Sequence, residues 1–108
     1  MTDLVQQLAK ELAVRPTQVE AAIKLIDEGA SVPFIARYRK EVTQGLDDTQ
    51  LRQLDTRLSY LRDLYERREK VIESLKEQNK LSDDLLARVN AAETKNALEE
   101  IYAPYRPK

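Results

Sequence analysis

Two kinds of side-chain cluster in this 108-residue chain could do chemistry: a basic run, Arg37-Tyr38-Arg39-Lys40, and three carboxylate pairs, Asp47/Asp48, Asp83/Asp84 and Glu99/Glu100. Three cations in four residues can neutralise phosphates and release their condensed counterions, and a tyrosine among them can stack on a base. The same run has a structural reading. Phe34 and Tyr38 would then bury against a long helix, and Arg37 would bond a carboxylate or helix-end carbonyls. On a continuous helix Arg37 would also face Glu41, an exposed pairing that contributes about 0.3–0.5 kcal/mol. The first two carboxylate pairs open helical segments, where the dipole stabilises negative charge. The third lies late in a helix without metal-ligand spacing. The chain has no histidine and no cysteine. It therefore lacks the commonest general base, the commonest metal ligand and any thiolate. Two glycines cannot build a phosphate-cradling loop. We expect no catalytic residue, no metal site and no cofactor.

The elements that position these residues read as helices throughout. Glycine occurs only at 29 and 45, and proline only at 16, 33, 104 and 107. Thr2 or Asp3 can cap a first helix carrying Leu4, Val5, Leu8, Ala9 and Leu12. Pro16 suits the first turn of a second, whose apolar face is Val19, Ala22, Ile23 and Ile26 and which Gly29 ends in the left-handed conformation. A short helix starting at Val32 or Pro33 places Phe34, Arg37, Tyr38 and Glu41 on one side. With the second helix it forms a loose helix-turn-helix-like element, although Val32-Pro33-Phe34-Ile35 puts apolar residues where base-reading side chains would sit. Thr43-Gln44-Gly45 is a loop, and Asp47 or Asp48 caps the longest helix, spanning 48–78.

Leu51, Leu54, Leu58, Leu61 and Tyr65 form that helix's stripe, continued by Ile72 and Leu75 and interrupted by Arg68. It would be about 45 Å long and must bridge or dock other helices along its length. Ser82 caps a further helix with Leu85, Leu86 and Val89. Thr94 opens a last one with Ala97, Leu98 and Ile101, and residues 102–108 are expected to be extended because they carry two prolines. The expected fold is all-α: one domain over residues 1–108, with five or six helices around one long helix. Intramolecular packing, rather than a dimeric coiled coil, accounts best for the stripe, so the chain is expected to be monomeric.

Charge is nearly balanced, with 18 basic and 19 acidic residues. The balance hides a local difference: residues 31–45 carry +2, whereas residues 1–30 carry −2. Along 46–80 eight positive and eight negative residues cancel, as on a solvated face. No apolar run approaches the ~20 residues of a membrane span, and Asp3 and the periodic apolar residues speak against a signal peptide. The lack of cysteine fits a reducing cytoplasm.

Two stretches taken together, "VPFIARYRKEVTQGLDD" and the terminal "LEEIYAPYRPK", resemble the N-terminal region of the bacterial Tex family of transcription accessory proteins. The matching positions are Pro33, Phe34, Tyr38 and Glu41 within Pro33–Glu41, then Gly45, the long helix, and Tyr102, Pro104 and Tyr105 in the tail. Ala103 and Gln44 are minor departures. The resemblance implies a longer protein that continues into an RNase H-like domain without catalytic activity, helix-hairpin-helix elements and a C-terminal RNA-binding domain of OB type. It also implies RNA or DNA as partner of the whole protein, with this segment as a non-catalytic scaffold. Arg37, Arg39 and Lys40 are the residues expected to touch nucleic acid, and Phe34 and Tyr38 are assigned to packing. The alternative is a protein-interaction module, in which the long helix and Tyr105-Arg106-Pro107 dock on RNA polymerase or on other domains of the same protein. A third reading has the C-terminal helices exposing an apolar patch that a longer chain covers.

Overall fold

The computed structural model describes residues 2–107, Thr2 through its backbone alone. Among the described residues there are six α-helices and no strand: α1 (Thr2–Leu12), α2 (Pro16–Asp27), α3 (Val32–Tyr38), α4 (Asp48–Glu77), α5 (Asp83–Ala91) and α6 (Lys95–Tyr102). A 3₁₀ turn over Ala103–Tyr105 follows. The backbone divides into two compact units, Met1–Leu61 and Arg62–Lys108. The 30 residues of α4 give their first half to one unit and their second half to the other.

Helix ends follow local chemistry. Pro16 stands in the first turn of α2, where a missing N–H costs nothing. Ser31, Ser82 and Thr94 each accept a hydrogen bond from the backbone N–H three residues on, capping α3, α5 and α6. Asp47 caps α4 reciprocally with Gln50: the Gln50 N–H donates to Asp47 Oδ1 at 2.8 Å, and the Asp47 N–H donates to Gln50 Oε1 at 3.0 Å. Because α1 already begins at Thr2, its cap lies outside the described residues, and Asp3 stands in the first turn rather than before it.

Three helices end in the same pair of backbone bonds, closed by a residue with positive φ. After α2 that residue is Gly29 at φ 96°. After α1 and α4 it is Ala13 and Asn79, both at φ 56°. A Cβ is unfavourable there, so Ala13 holds a conformation that glycine would take more easily.

In the first unit α1 packs on α2 and α2 on α3, with Leu4, Val5, Leu8, Val19, Ala22 and Ile23 buried. Leu51, Leu54, Leu58 and Leu61 of α4 are buried as the spacing predicts. In the second half of α4 the buried residues are Leu64, Val71 and Leu75, while Tyr65 and Ile72 are half-exposed. The expected stripe is off by one residue at Tyr65 and Ile72, about 100° on a helical wheel, and holds at Leu75. Arg68, which breaks the stripe, is half-buried. Its Nη2 donates 2.7 Å to the carbonyl of Ala92, the residue closing α5. The arginine thereby satisfies an otherwise orphan helix-end acceptor.

The tail differs from expectation. Residues 102–107 are not simply extended: Tyr102 completes α6 and residues 103–105 form the 3₁₀ turn, with Pro104 in its first turn, where proline's fixed φ is compatible. Lys108 lies outside the described residues. Tyr102 is buried, and its hydroxyl lies 2.6 Å from Ser74 Oγ. No helix among the described residues is long and apolar enough to cross a membrane.

Candidate nucleic-acid interface

The basic run is built on a short helix held by one apolar anchor. Ile35 is fully buried, and it is the buried residue of α3. With Ile35 turned inward, Phe34 and Tyr38, four residues apart, share a face that points to solvent. Their exposures are 40% and 60%. This corrects the assignment of both rings to packing: a seven-residue helix has room to bury one face, and Ile35 takes it. Among the described residues the exposed large apolar ones are Phe34, Tyr38 and Val42.

The two rings touch in a tilted arrangement, with centroids 5.4 Å apart and planes inclined by 47°. Arginines flank the pair. The Arg39 guanidinium lies 5.0 Å from the Phe34 centroid, and that of Arg37 lies 5.6 Å from Tyr38. Arg39 Nη1 also donates 3.0 Å to the Tyr38 carbonyl, the end of α3. Arg37, Arg39, Lys40 and Glu41 are all exposed. Helix α3 stops at Tyr38, so Glu41 falls in a turn and the anticipated helical pairing with Arg37 is not made. None of the three cations is ion-paired among the described residues.

The loop that follows is fixed by its backbone. The N–H groups of Val42 and Thr43 donate to the Arg39 carbonyl, and Gly45 N–H donates 2.9 Å to that of Lys40. Gly45 has φ 98°, a geometry that needs glycine, and Pro33 occupies the first turn of α3. Thr43 is fully buried, as is Leu46. From α2, Gln18 takes two roles. Its Oε1 accepts the Arg15 N–H at 2.9 Å, and its Nε2 donates 3.2 Å to each of the carbonyls of Thr43 and Gln44. Sequence reasoning missed Gln18, although glutamine three residues after a helix cap is a recognisable signal.

The other charged clusters behave differently. Asp47 caps α4, Asp48 forms an ion pair with Arg52, and Asp83 and Asp84 open α5. Glu99 receives Arg67 through Nε at 2.5 Å and Nη2 at 3.2 Å, and also pairs with Arg106. Hydrogen bonds from Arg67 first, and then Arg106, hold the Glu99 carboxyl down at about 2. Arg67 also lies 5.5 Å from the Tyr102 ring. A shallow cleft of roughly 480 Å³ beside this cluster is lined by alternating acids and bases, Asp63, Glu66, Arg67, Lys70, Lys95 and Glu99. In the first unit Glu11 takes Arg57 Nε at 2.7 Å, and that bond lowers its carboxyl below the usual range. No group of three acidic side chains among the described residues is placed to hold a metal. Tyr105 is half-buried in the tail.

A family model described as the Tex-like protein N-terminal domain matches residues 2–76, a span that contains both the basic run and most of α4. The chain belongs to this family. Among proteins similar to this Tex-like chain, Transcriptional accessory protein Tex of Neisseria gonorrhoeae is 61% identical over 101 residues. Protein YhgF of Escherichia coli K12 is 60% identical over the same length. Both alignments cover 94% of this chain and 13% of the relative. Human S1 RNA-binding domain-containing protein 1 is 33% identical over 104 residues, covering 96% of this chain and 10% of that protein. The chain thus spans about an eighth of the length of its bacterial relatives.

Proposed function

We propose that this Tex-like domain is a non-catalytic helical scaffold of a cytoplasmic, nucleic-acid-binding transcription accessory protein, and that Arg37, Arg39 and Lys40 contribute phosphate contacts. The observation that carries the reading is the state of these three cations. Among the described residues they are exposed and lack a carboxylate partner, whereas Arg52, Arg57, Arg67 and Arg106 are each paired. The names of the relatives, a transcriptional accessory protein and an RNA-binding-domain protein, agree with nucleic acid as the partner. The helix-turn-helix-like reading has less support, because α3 spans seven residues and opens with Val32-Pro33.

Titration of the chain against labelled single-stranded RNA and duplex DNA at low and near-physiological salt tests the proposal. Binding that weakens steeply with salt supports phosphate contacts, and the slope counts them. Absence of binding at low salt overturns it. The rival reading, a module docking on polymerase or on other domains, draws on a tail held in place by the Glu99–Arg106 pair. Charge reversal at Arg37, Arg39 and Lys40 that spares nucleic-acid binding but abolishes binding to RNA polymerase would favour it.

A further inference from the structure

The aromatic pair on α3 lies outside the buried core, with Phe34 40% and Tyr38 60% exposed. We infer that Phe34 and Tyr38 form a stacking platform for the bases of a single-stranded nucleic acid, with Arg37, Arg39 and Lys40 holding the strand's phosphates. The inference rests on the proposed phosphate contacts and names the kind of strand they serve.

Three features favour this occupant. First, the platform lies within its own electrostatic frame: a guanidinium flanks each ring at 5.0–5.6 Å, so a polyanion drawn to the arginines arrives at the ring faces. Second, the two rings already lie in contact, tilted at 5.4 Å, and the following loop is pinned by Gln18 and Gly45, so little ordering is needed on binding. Third, a duplex keeps its bases stacked inside and offers no π-face to Tyr38, and a seven-residue helix opening with Val32-Pro33 is poorly suited to reading a major groove. A single strand presents both phosphates and ring faces, and stacking tolerates every base, so the preference expected is for strandedness over sequence.

The test compares a labelled oligonucleotide of about 12 nucleotides, within the range of single-strand site sizes, with an abasic strand of equal length and charge. The base-bearing strand is expected to bind about 5- to 100-fold more tightly, the span of one stacked base. Tyr38→Leu and Phe34→Leu should bring its affinity down toward that of the abasic strand, and Tyr38→Phe should retain it. Because both positions are solvent-facing, thermal melts of these variants should match the parent. Equal affinity for base-bearing and abasic strands, with a steep salt dependence, overturns the stacking role and leaves the phosphate reading standing. No binding of either strand at low salt overturns both. If Tyr38→Leu weakens both strands equally, the rings serve to position the arginines and the platform is refuted. An acidic peptide of matching charge that binds as tightly as the oligonucleotide refutes it in favour of a protein ligand.

Discussion

Arginine and tyrosine meet in both units of this protein, with opposite consequences. Around α3, Arg37 lies over Tyr38 and Arg39 over Phe34, the rings are exposed, and no carboxylate among the described residues joins them. In the second unit, Arg67 of α4 lies over Tyr102 of α6, but that ring is buried, its hydroxyl meets Ser74, and Glu99 takes up both Arg67 and Arg106. One set of charges is consumed internally, and the other is not ion-paired among the described residues. A basic cluster is therefore not a site by composition. It becomes available when no acidic side chain from another part of the chain reaches it.

The strongest way to break the comparison is to remove the anchor beneath the open cluster. Ile35→Ala deletes a fully buried side chain and should destabilise the first unit by about 2–5 kcal/mol, lowering the melt and weakening nucleic-acid binding together. A cleaner break separates charge from fold. Reversing Arg37, Arg39 and Lys40 to glutamate should leave the melt nearly unchanged while nucleic-acid affinity falls at least tenfold, about 1.4 kcal/mol. Arg67→Glu should do the reverse, lowering the melt by placing a second carboxylate beside Glu99 and sparing affinity. If both substitutions change the same observable, the contrast between the two clusters fails.

Acid sharpens the contrast further. The Glu99 carboxyl is held at about 2 in the folded protein against an ordinary 4.5. Its ionised form is thus favoured by folding, and its stabilisation is fully present above pH 4.5 and lost as pH falls toward 2. Glu99→Gln should be less stable at neutral pH and show a shallower loss across that window in circular-dichroism melts. The smallest expected effect lies away from both clusters. Ala13→Gly relieves a φ of 56° and should stabilise α1 by about 0.5–1 kcal/mol, read as a small upward shift of the melt.

Much of the helical framework was legible in the residues. Asp47, Ser82 and Thr94 cap the helices they precede, α3 starts at Val32, Gly29 closes α2, and α4 ends within a residue of its expected limit, because caps and turns depend on chemistry within four residues. The misreadings cluster where the deciding neighbour is distant. Val71 was buried in place of Ile72 and Leu64 in place of Tyr65, since two adjacent apolar residues both fit a three-or-four spacing. The exposure of Phe34 and Tyr38 was hidden by their apolarity, and Gln18 by the 25 residues separating it from the Thr43 carbonyl it holds.

The sequence by itself determined that the chain is helical, where most helices start and stop, and that it has no histidine or cysteine with which to do the commonest chemistry. Tertiary structure alone decided which arginines are free. Arg67 meets Glu99 across 32 residues and Arg57 meets Glu11 across 46, whereas among the described residues Arg37 and Arg39 meet the rings of Phe34 and Tyr38 and the Tyr38 carbonyl. Charge pairing at such separations depends on which helix faces pack together, a property that no local spacing encodes.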